Sequence, residues 1–254
     1  SNTFGEELAP RLIAAYRQYR PNVDVALESK GSGSGFEALL SARCDIASAS
    51  RNATSEEKDQ AAKRGVELKE YVIGYYGVAV IVNRDNPVTK LTTEQVRDIF
   101  TGVVRNWTAL GGPDAPIHVL IRDRISGTNL GFRELAMKND PYAPNAQMFT
   151  SYAQIGEAVA RDLGGIGYTG MTMTKRAGIK AVMIGKYEPS ALTVNEGWYP
   201  YARMLRLYTD KGKETPVAQD FALFVQRGTG QKILEEMGFV RRFEKRLDSL
   251  TPPD

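Results

Sequence analysis

The segment Ile121-Arg122-Asp123-Arg124-Ile125-Ser126-Gly127-Thr128-Asn129-Leu130-Gly131-Phe132 contains a charged turn between a predicted strand and a predicted helix. The apolar residues 118–121 predict a buried strand, and the apolar spacing after the turn predicts a helix to about Met137. Ser126-Gly127-Thr128 stands at the helix start. There, hydroxyl side chains cap free N–H groups, and glycine lets a ligand approach the backbone. The positive end of such a helix favours an anion.

Arg122 gives this turn a second feature that suits an anion. It precedes Ser126 by four residues, and its guanidinium is a planar donor that can make two parallel hydrogen bonds to an oxyanion. An ordinary capped helix beside a surface arginine would show the same local pattern. The segment alone therefore leaves both interpretations open.

The composition is that of an ordinary globular protein, with 42% hydrophobic and 25% charged residues in 254. This length permits one domain or two. A net charge of +3 without a lysine-arginine run argues against nucleic acid as a partner. No apolar stretch is long enough to cross a membrane. The sequence starts at Ser1 without a signal peptide, so we expect a mature or trimmed product whose localisation this end does not reveal.

Residues for the commonest catalytic and metal sites are scarce. The single histidine, His118, begins a predicted strand without companions, so a zinc site or a histidine-based triad is hard to build. The single cysteine, Cys44, excludes an intramolecular disulfide, and we expect it to be a small buried apolar residue. Paired glutamates such as Glu56 and Glu57 are expected to be helix-start charges. We therefore expect no enzyme, no cofactor and no metal site.

Strands and helices alternate along the chain, which predicts an α/β protein with parallel βαβ units. Short strands are predicted at residues 23–27 and 45–50. The long β-type run at residues 68–83 predicts a strand that crosses between two lobes, and residues 204–208 predict a second one. The charged tail at residues 241–254 is typical of a linker to a further domain.

Hydroxyl residues and arginines recur where a predicted strand ends or a predicted helix starts. Outside the first segment these are Thr3, Ser32, Ser34, Ser50 and Arg51. Ligands of open α/β sheets bind outside the carboxyl ends of the strands, which would bring these groups together. The joint pattern suits a tetrahedral oxyanion, which accepts many hydrogen bonds at once.

With these residues the chain resembles the phosphate-binding proteins of bacterial ABC transporters, in the class II periplasmic binding-protein superfamily. The resemblance runs from Ser1 to about Val240, and the arginine four residues before Ser-Gly-Thr is its most distinctive motif. It implies a phosphate site made of Thr3, Phe4, Ser32, Ser34, Ser50, Arg51, Arg122, Ser126, Gly127 and Thr128.

The resemblance also implies an architecture and a role. It implies two α/β lobes, residues 1–78 with 202–254 and residues 79–201, joined by two crossover strands that form a hinge and close on phosphate in the cleft. The expected protein is a monomeric substrate-binding component of a phosphate uptake system. Its expected partner is an ABC transporter permease, and its expected location is the periplasm or cell envelope.

One residue departs from part of the family. Some relatives carry an aspartate where Arg51 stands, and that carboxylate accepts the proton of phosphate and repels sulfate. We expect Asp45 or Asp123 either to replace that carboxylate or to pair with Arg51. Sulfate or another oxyanion therefore remains an alternative ligand. An oxyanion-sensing or envelope-anchored binding module is an alternative role, and a phosphate-processing enzyme is the least favoured one.

Overall fold

The computed structural model describes residue 1, residues 3–124 and residues 126–242, without the side chain of Glu6. The helices are α1 (Ala9–Tyr19), α2 (Ser32–Leu40), α3 (Ser55–Lys63), α4 (Thr93–Phe100), α5 (Gly127–Met137), α6 (Tyr152–Arg161), α7 (Ala191–Asn195), α8 (Pro216–Gln226) and α9 (Gly228–Glu236). The strands are β1 (Ala47–Ala49), β2 (Leu68–Asn83), β3 (Lys90–Leu91), β4 (His118–Arg122), β5 (Gln147–Phe149), β6 (Gly165–Gly170), β7 (Ile179–Ala181), β8 (Met183–Ile184), β9 (Ala202–Asp210) and β10 (Val240–Arg241). A π-helical turn, Thr3–Leu8, precedes α1.

These elements form two compact units. Of the described residues, the first contains 1, 3–75, 126–128 and 203–242, and the second contains 76–124 and 129–202. β2 and β9 therefore each contribute residues to both units. The lobe limits and the hinge inferred from sequence stay predictions. The predicted linker lies outside the described residues except for its first two positions.

In the first unit, small side chains allow α2 to pack closely on β1. β1 pairs antiparallel with β9, so that Ala47 lies opposite Tyr208. Ala47 and Ala49 are buried against Phe36 and Leu39 of α2. Because successive strand residues face opposite sides, Ser48 points away from α2. The carboxyl end of β1 is thereby held beside the start of α2.

The second unit contains a mixed sheet. β6 pairs antiparallel with β2 and parallel with β4, and β4 pairs parallel with β5. The parallel units predicted from sequence are thus found in the second unit, whereas the strand pairs described in the first unit are antiparallel. The prediction was too general because the alternation of elements does not specify the partner of each strand. β9 and β10 come from the end of the chain and run antiparallel to their partners, β1 and β2.

Most predicted elements form, but residues 23–27 do not form a strand. They alternate apolar and polar residues, yet Leu27 is 43% exposed and the structure gives this segment no strand partner among the residues it describes. A strand gains stability from pairing and burial, which this segment lacks. No helix in the described part of the chain is both long enough and apolar enough to span a bilayer.

Gly167 tests the packing of β6 in the second unit. A Cβ at this position would lie 2.6 Å from Cγ2 of Ile155 on α6 and 2.9 Å from the backbone oxygen of Leu120 on β4. We expect Gly167→Ala to lower the free energy of unfolding by about 1–3 kcal/mol through overpacking. Urea titration of purified protein measures this change.

Gly156→Ala on α6 is the matched control. Its Cβ would lie no closer than 3.7 Å to the nearest neighbouring atoms, and alanine favours a helix by up to about 1 kcal/mol over glycine. We expect this variant to be at least as stable as the parent. Equal stability of the two variants would contradict the described packing.

Candidate anion-binding site

The start of α2 is hydrogen-bonded to the carboxyl end of β1. Gly31 precedes α2 with φ of 106°, a conformation that favours glycine. Ser32 follows it and is fully buried. The Oγ of Ser32 accepts a hydrogen bond of 3.2 Å from the backbone N–H of Ser50, which directly follows β1. Two of the predicted site residues are thus held together inside the first unit.

The turn before α5 lies against these two serines. A Cβ at Gly127 would collide with Oγ of Ser32 and would lie 2.9 Å from Oγ of Ser50, so a side chain there would require both hydroxyls to move. Ser126 is fully buried, and its Oγ accepts a hydrogen bond of 3.2 Å from the N–H of Thr128. The helix is therefore capped as the ordinary interpretation expected. The hydroxyl hydrogen of Ser126 can still donate to a ligand.

A third helical segment starts beside β1. Thr3 and Phe4 open the π-helical turn, and both are buried. The nitrogen of Ser1 donates a hydrogen bond of 3.0 Å to Oγ of Ser48 on β1. The first unit therefore brings the starts of three helical segments to β1 and to the residue that follows it. Free N–H groups and helix dipoles make such starts favourable for anions.

Arg51 forms a buried ion pair with Glu57. Nη1 of Arg51 lies 2.8 Å from Oε2 of Glu57, and Nη2 lies 2.8 Å from Oε1, a bidentate arrangement. The expected partner of Arg51, Asp45 or Asp123, was wrong, because Glu57 holds both terminal nitrogens of its guanidinium. That Asp45 or Asp123 replaces the carboxylate of other relatives stays a prediction. Glu57 is favoured because its backbone already joins the capping box of α3, which orients its carboxylate.

The charge of Glu57 is stabilised by this pair. Burial of the carboxyl opposes ionisation, but hydrogen bonds from Arg51 and from the backbone N–H of Thr54 outweigh it, and the pKa of Glu57 lies below its ordinary value. The sequence indicated Glu57 only as a helix-start charge. The sequence feature that indicates its position is the capping box of Thr54 and Glu57, which places a glutamate six residues after Arg51.

Arg122 is held at the end of β4 in the second unit. It is 1% exposed, and its N–H donates to the hydroxyl of Tyr168 at 3.0 Å. Its carbonyl accepts a hydrogen bond of 2.7 Å from Nδ2 of Asn129. Its guanidinium carbon lies 5.0 Å from the ring centroid of Tyr152, within cation–π range. None of these three partners was among the predicted site residues.

Ser34 is the predicted site residue that the structure does not place with Ser32. Its Oγ donates to the carbonyl of Lys30 at 3.4 Å, and the side chain is only partly buried. Both serines lie in α2, where residues two positions apart point to different sides. The helix begins at Ser32, so Ser34 already lies inside its first turn.

His118 has a partner that the sequence did not indicate. Its Nδ1 lies 2.6 Å from Oδ2 of Asp162, at the amino end of β4 and in the second unit. Among the described residues, no group of three histidine, cysteine, aspartate or glutamate side chains is arranged to hold a metal ion.

The chain matches known proteins along most of its length. A family model described as PBP superfamily domain matches residues 2–228. The phosphate-binding protein PstS of Staphylococcus saprophyticus is 31% identical over 252 residues, which cover 94% of this chain and 78% of that protein. The chain belongs to the PBP superfamily and to its PstS family.

Solved structures of similar proteins share this fold. A protein of Clostridium perfringens, described as a phosphate ABC transporter substrate-binding protein with bound phosphate, has a TM-score of 0.87 and 28% identity, over 96% of this chain and 97% of that chain. An ABC-type phosphate transport receptor of Vibrio cholerae has a TM-score of 0.80 and 26% identity, over 92% and 95%. The family and fold class predicted from the sequence are confirmed.

The Arg51–Glu57 pair makes stability depend on pH. Glutamine can keep the capping box but carries no charge, so Glu57→Gln should lower the free energy of unfolding at pH 7 by about 2 kcal/mol. The depressed pKa of Glu57 stabilises the fold above the unfolded-state pKa, and this contribution is lost as pH falls through the folded-state pKa. The difference between parent and variant should therefore shrink at acidic pH.

Urea titrations at neutral and acidic pH measure this effect. Glu56→Gln is the matched control, because Glu56 is exposed and shares the first turn of α3 with Glu57. We expect the control to lie within about 0.5 kcal/mol of the parent. An equal loss in the two variants would contradict the role of the pair.

Proposed function

We propose that this PstS-family chain binds inorganic phosphate as the substrate-binding component of an ABC-type phosphate uptake system. The observation that carries the proposal is the meeting of Ser32, Ser50 and Gly127 within the first unit, where helix starts and buried hydroxyls converge. Phosphate offers several oxygen acceptors to such N–H and O–H donors. The names of the most similar relatives support phosphate over other anions.

The proposed ligand residues are those of the sequence prediction without Ser34 and Arg51. They are Thr3, Phe4, Ser32, Ser50, Arg122, Ser126, Gly127 and Thr128. Serine and threonine hydroxyls and the backbone N–H groups at the helix starts donate hydrogen bonds, while Arg122 supplies a full positive charge. Arg51 acts indirectly, because both terminal nitrogens of its guanidinium are held by Glu57.

Sulfate is the second candidate ligand. A carboxylate that accepts the proton of phosphate would exclude sulfate, but the carboxylate closest to Arg51 is occupied. Glu57 accepts hydrogen bonds from Arg51 through both oxygens and also from the N–H of Thr54. These three hydrogen bonds commit its carboxylate to Arg51 and Thr54, so we do not propose Glu57 as the group that distinguishes phosphate from sulfate.

The proposed role is transport rather than catalysis. The protein delivers phosphate to an ABC transporter permease, acts in the periplasm or cell envelope, and is a monomer. The support is the family itself, since the relatives are described as binding proteins and transport receptors. Closure of two lobes on the ligand is part of the same proposal.

Isothermal titration calorimetry tests the proposal. We expect phosphate to bind the parent protein with measurable heat and to raise its melting temperature, and we expect weaker binding of sulfate. A parent protein that shows neither heat nor a thermal shift at millimolar phosphate would overturn the transport role.

Arg122 should contribute more to phosphate binding than Arg51. Loss of a charge-assisted hydrogen bond costs about 1.5–3 kcal/mol, so Arg122→Ala should weaken phosphate binding by roughly ten- to a hundredfold. The matched comparison is the double variant Arg51→Ala with Glu57→Gln, which removes the Arg51 charge without leaving an unpaired carboxylate. Calorimetry should show a smaller loss for the double variant. Binding by Arg122→Ala as tight as that of the parent would remove Arg122 from the site.

A further inference from the structure

Arg203 is a buried cation that forms no ion pair with any carboxylate in the described part of the chain. It begins the part of β9 that belongs to the first unit, and it is 5% exposed. Among the residues that the structure describes, neither its Nη1 nor its Nη2 has a hydrogen-bond partner, although both atoms are shielded from solvent. Arginine does not lose its proton in proteins, so the charge remains inside the fold. A buried charge is unfavourable unless an anion compensates it.

Two other buried arginines of the first unit are each paired with a carboxylate. Arg51 is 8% exposed and bidentate with Glu57. Arg206 is 9% exposed, and its Nε lies 2.5 Å from Oε1 of Glu70. Each has a carboxylate of its own. Arg203 differs from both, although it lies on the same strand as Arg206.

The register of β9 places Arg203 on the face that carries Ser48, opposite the face that packs against α2. Leu207 lies opposite Ser48, whereas Arg206 lies opposite Ala49 on the face that packs against α2. Residues at intervals of two share a face, so Arg203 is on the side of Leu207 and Ser48. Ser48 is the strand residue whose Oγ contacts Ser1, just before the π-helical turn.

Arg203 also lies at the end of the sheet where β1 has its carboxyl end. β1 and β9 are antiparallel, so the start of β9 is beside the carboxyl end of β1. Ser50, with its hydrogen bond to Ser32, follows that carboxyl end directly. Arg203 is therefore close to the place where the three helical segments start.

We propose that Arg203 is a further binding residue of the phosphate site, whose unmatched buried charge is compensated by the bound anion. This inference rests on the proposed function and adds to it a residue that the sequence motifs did not indicate. The charge is unfavourable in the ligand-free protein and favourable in the complex. The buried charge of Arg203 therefore lowers the stability of the ligand-free fold and raises its affinity for an anion.

The test is Arg203→Met, which keeps the length of the side chain and removes the charge. We expect phosphate to bind at least about tenfold more weakly by calorimetry. We also expect the ligand-free variant to melt at the same temperature as the ligand-free parent or higher, because an uncompensated buried charge is gone. Arg203→Lys should recover part of the affinity, since it restores a positive charge.

Arg206→Met is the matched control on the same strand. It removes a buried arginine that has its own carboxylate, so it should lower the melting temperature and leave phosphate affinity unchanged. If Arg203→Met does not fold, the affinities of Arg203→Lys and Arg203→Gln decide, with the lysine variant expected to bind more tightly.

Two outcomes overturn the inference about Arg203. One is that Arg203→Met binds phosphate as tightly as the parent, or that the lysine and glutamine variants bind it equally tightly. The other is that ligand-free Arg203→Met melts at as low a temperature as Arg206→Met, while Arg203→Lys recovers no phosphate affinity. A parent protein that does not bind phosphate overturns the proposed function instead, so the two failures are distinguishable.

Discussion

The close approach of Gly127 to Ser32 and Ser50 is the contact on which the candidate site depends. It joins the start of α5 to the start of α2 and to the carboxyl end of β1, three places far apart in the sequence. A side chain at residue 127 would require the hydroxyls of Ser32 and Ser50 to move away from the backbone of the turn. The free backbone N–H groups of such helix starts favour an anion.

The buried arginines divide into two kinds. Arg51 and Arg206 are compensated by carboxylates within the protein, and their contribution is to stability. We propose that Arg122 and Arg203 contribute their charges to the ligand. Arg51 shows that an arginine in a family motif can also be held by a carboxylate of the protein, here Glu57.

Local sequence predicted the turns at the helix starts better than it predicted the pairing around them. The capping by Ser126 and the glycine at residue 127 are indicated because capping and glycine requirements act within a few residues. The ion pair of Glu57 and the buried position of Arg203 are not indicated, because both depend on which strand or helix lies beside them. The predicted strand at residues 23–27 was wrong for the same reason, as alternation indicates a strand only where a partner exists. Which of the residues at the helix starts contact a ligand stays a prediction.

A crystal structure of the protein grown with inorganic phosphate is the most direct test of the proposed site. We expect one tetrahedral anion within hydrogen-bonding distance of Oγ of Ser32 and the backbone N–H groups at Gly127 and Thr128, with the Arg203 guanidinium turned toward it. Phosphate bound at a different place, or no phosphate in a crystal grown at millimolar phosphate, would show that the site is elsewhere.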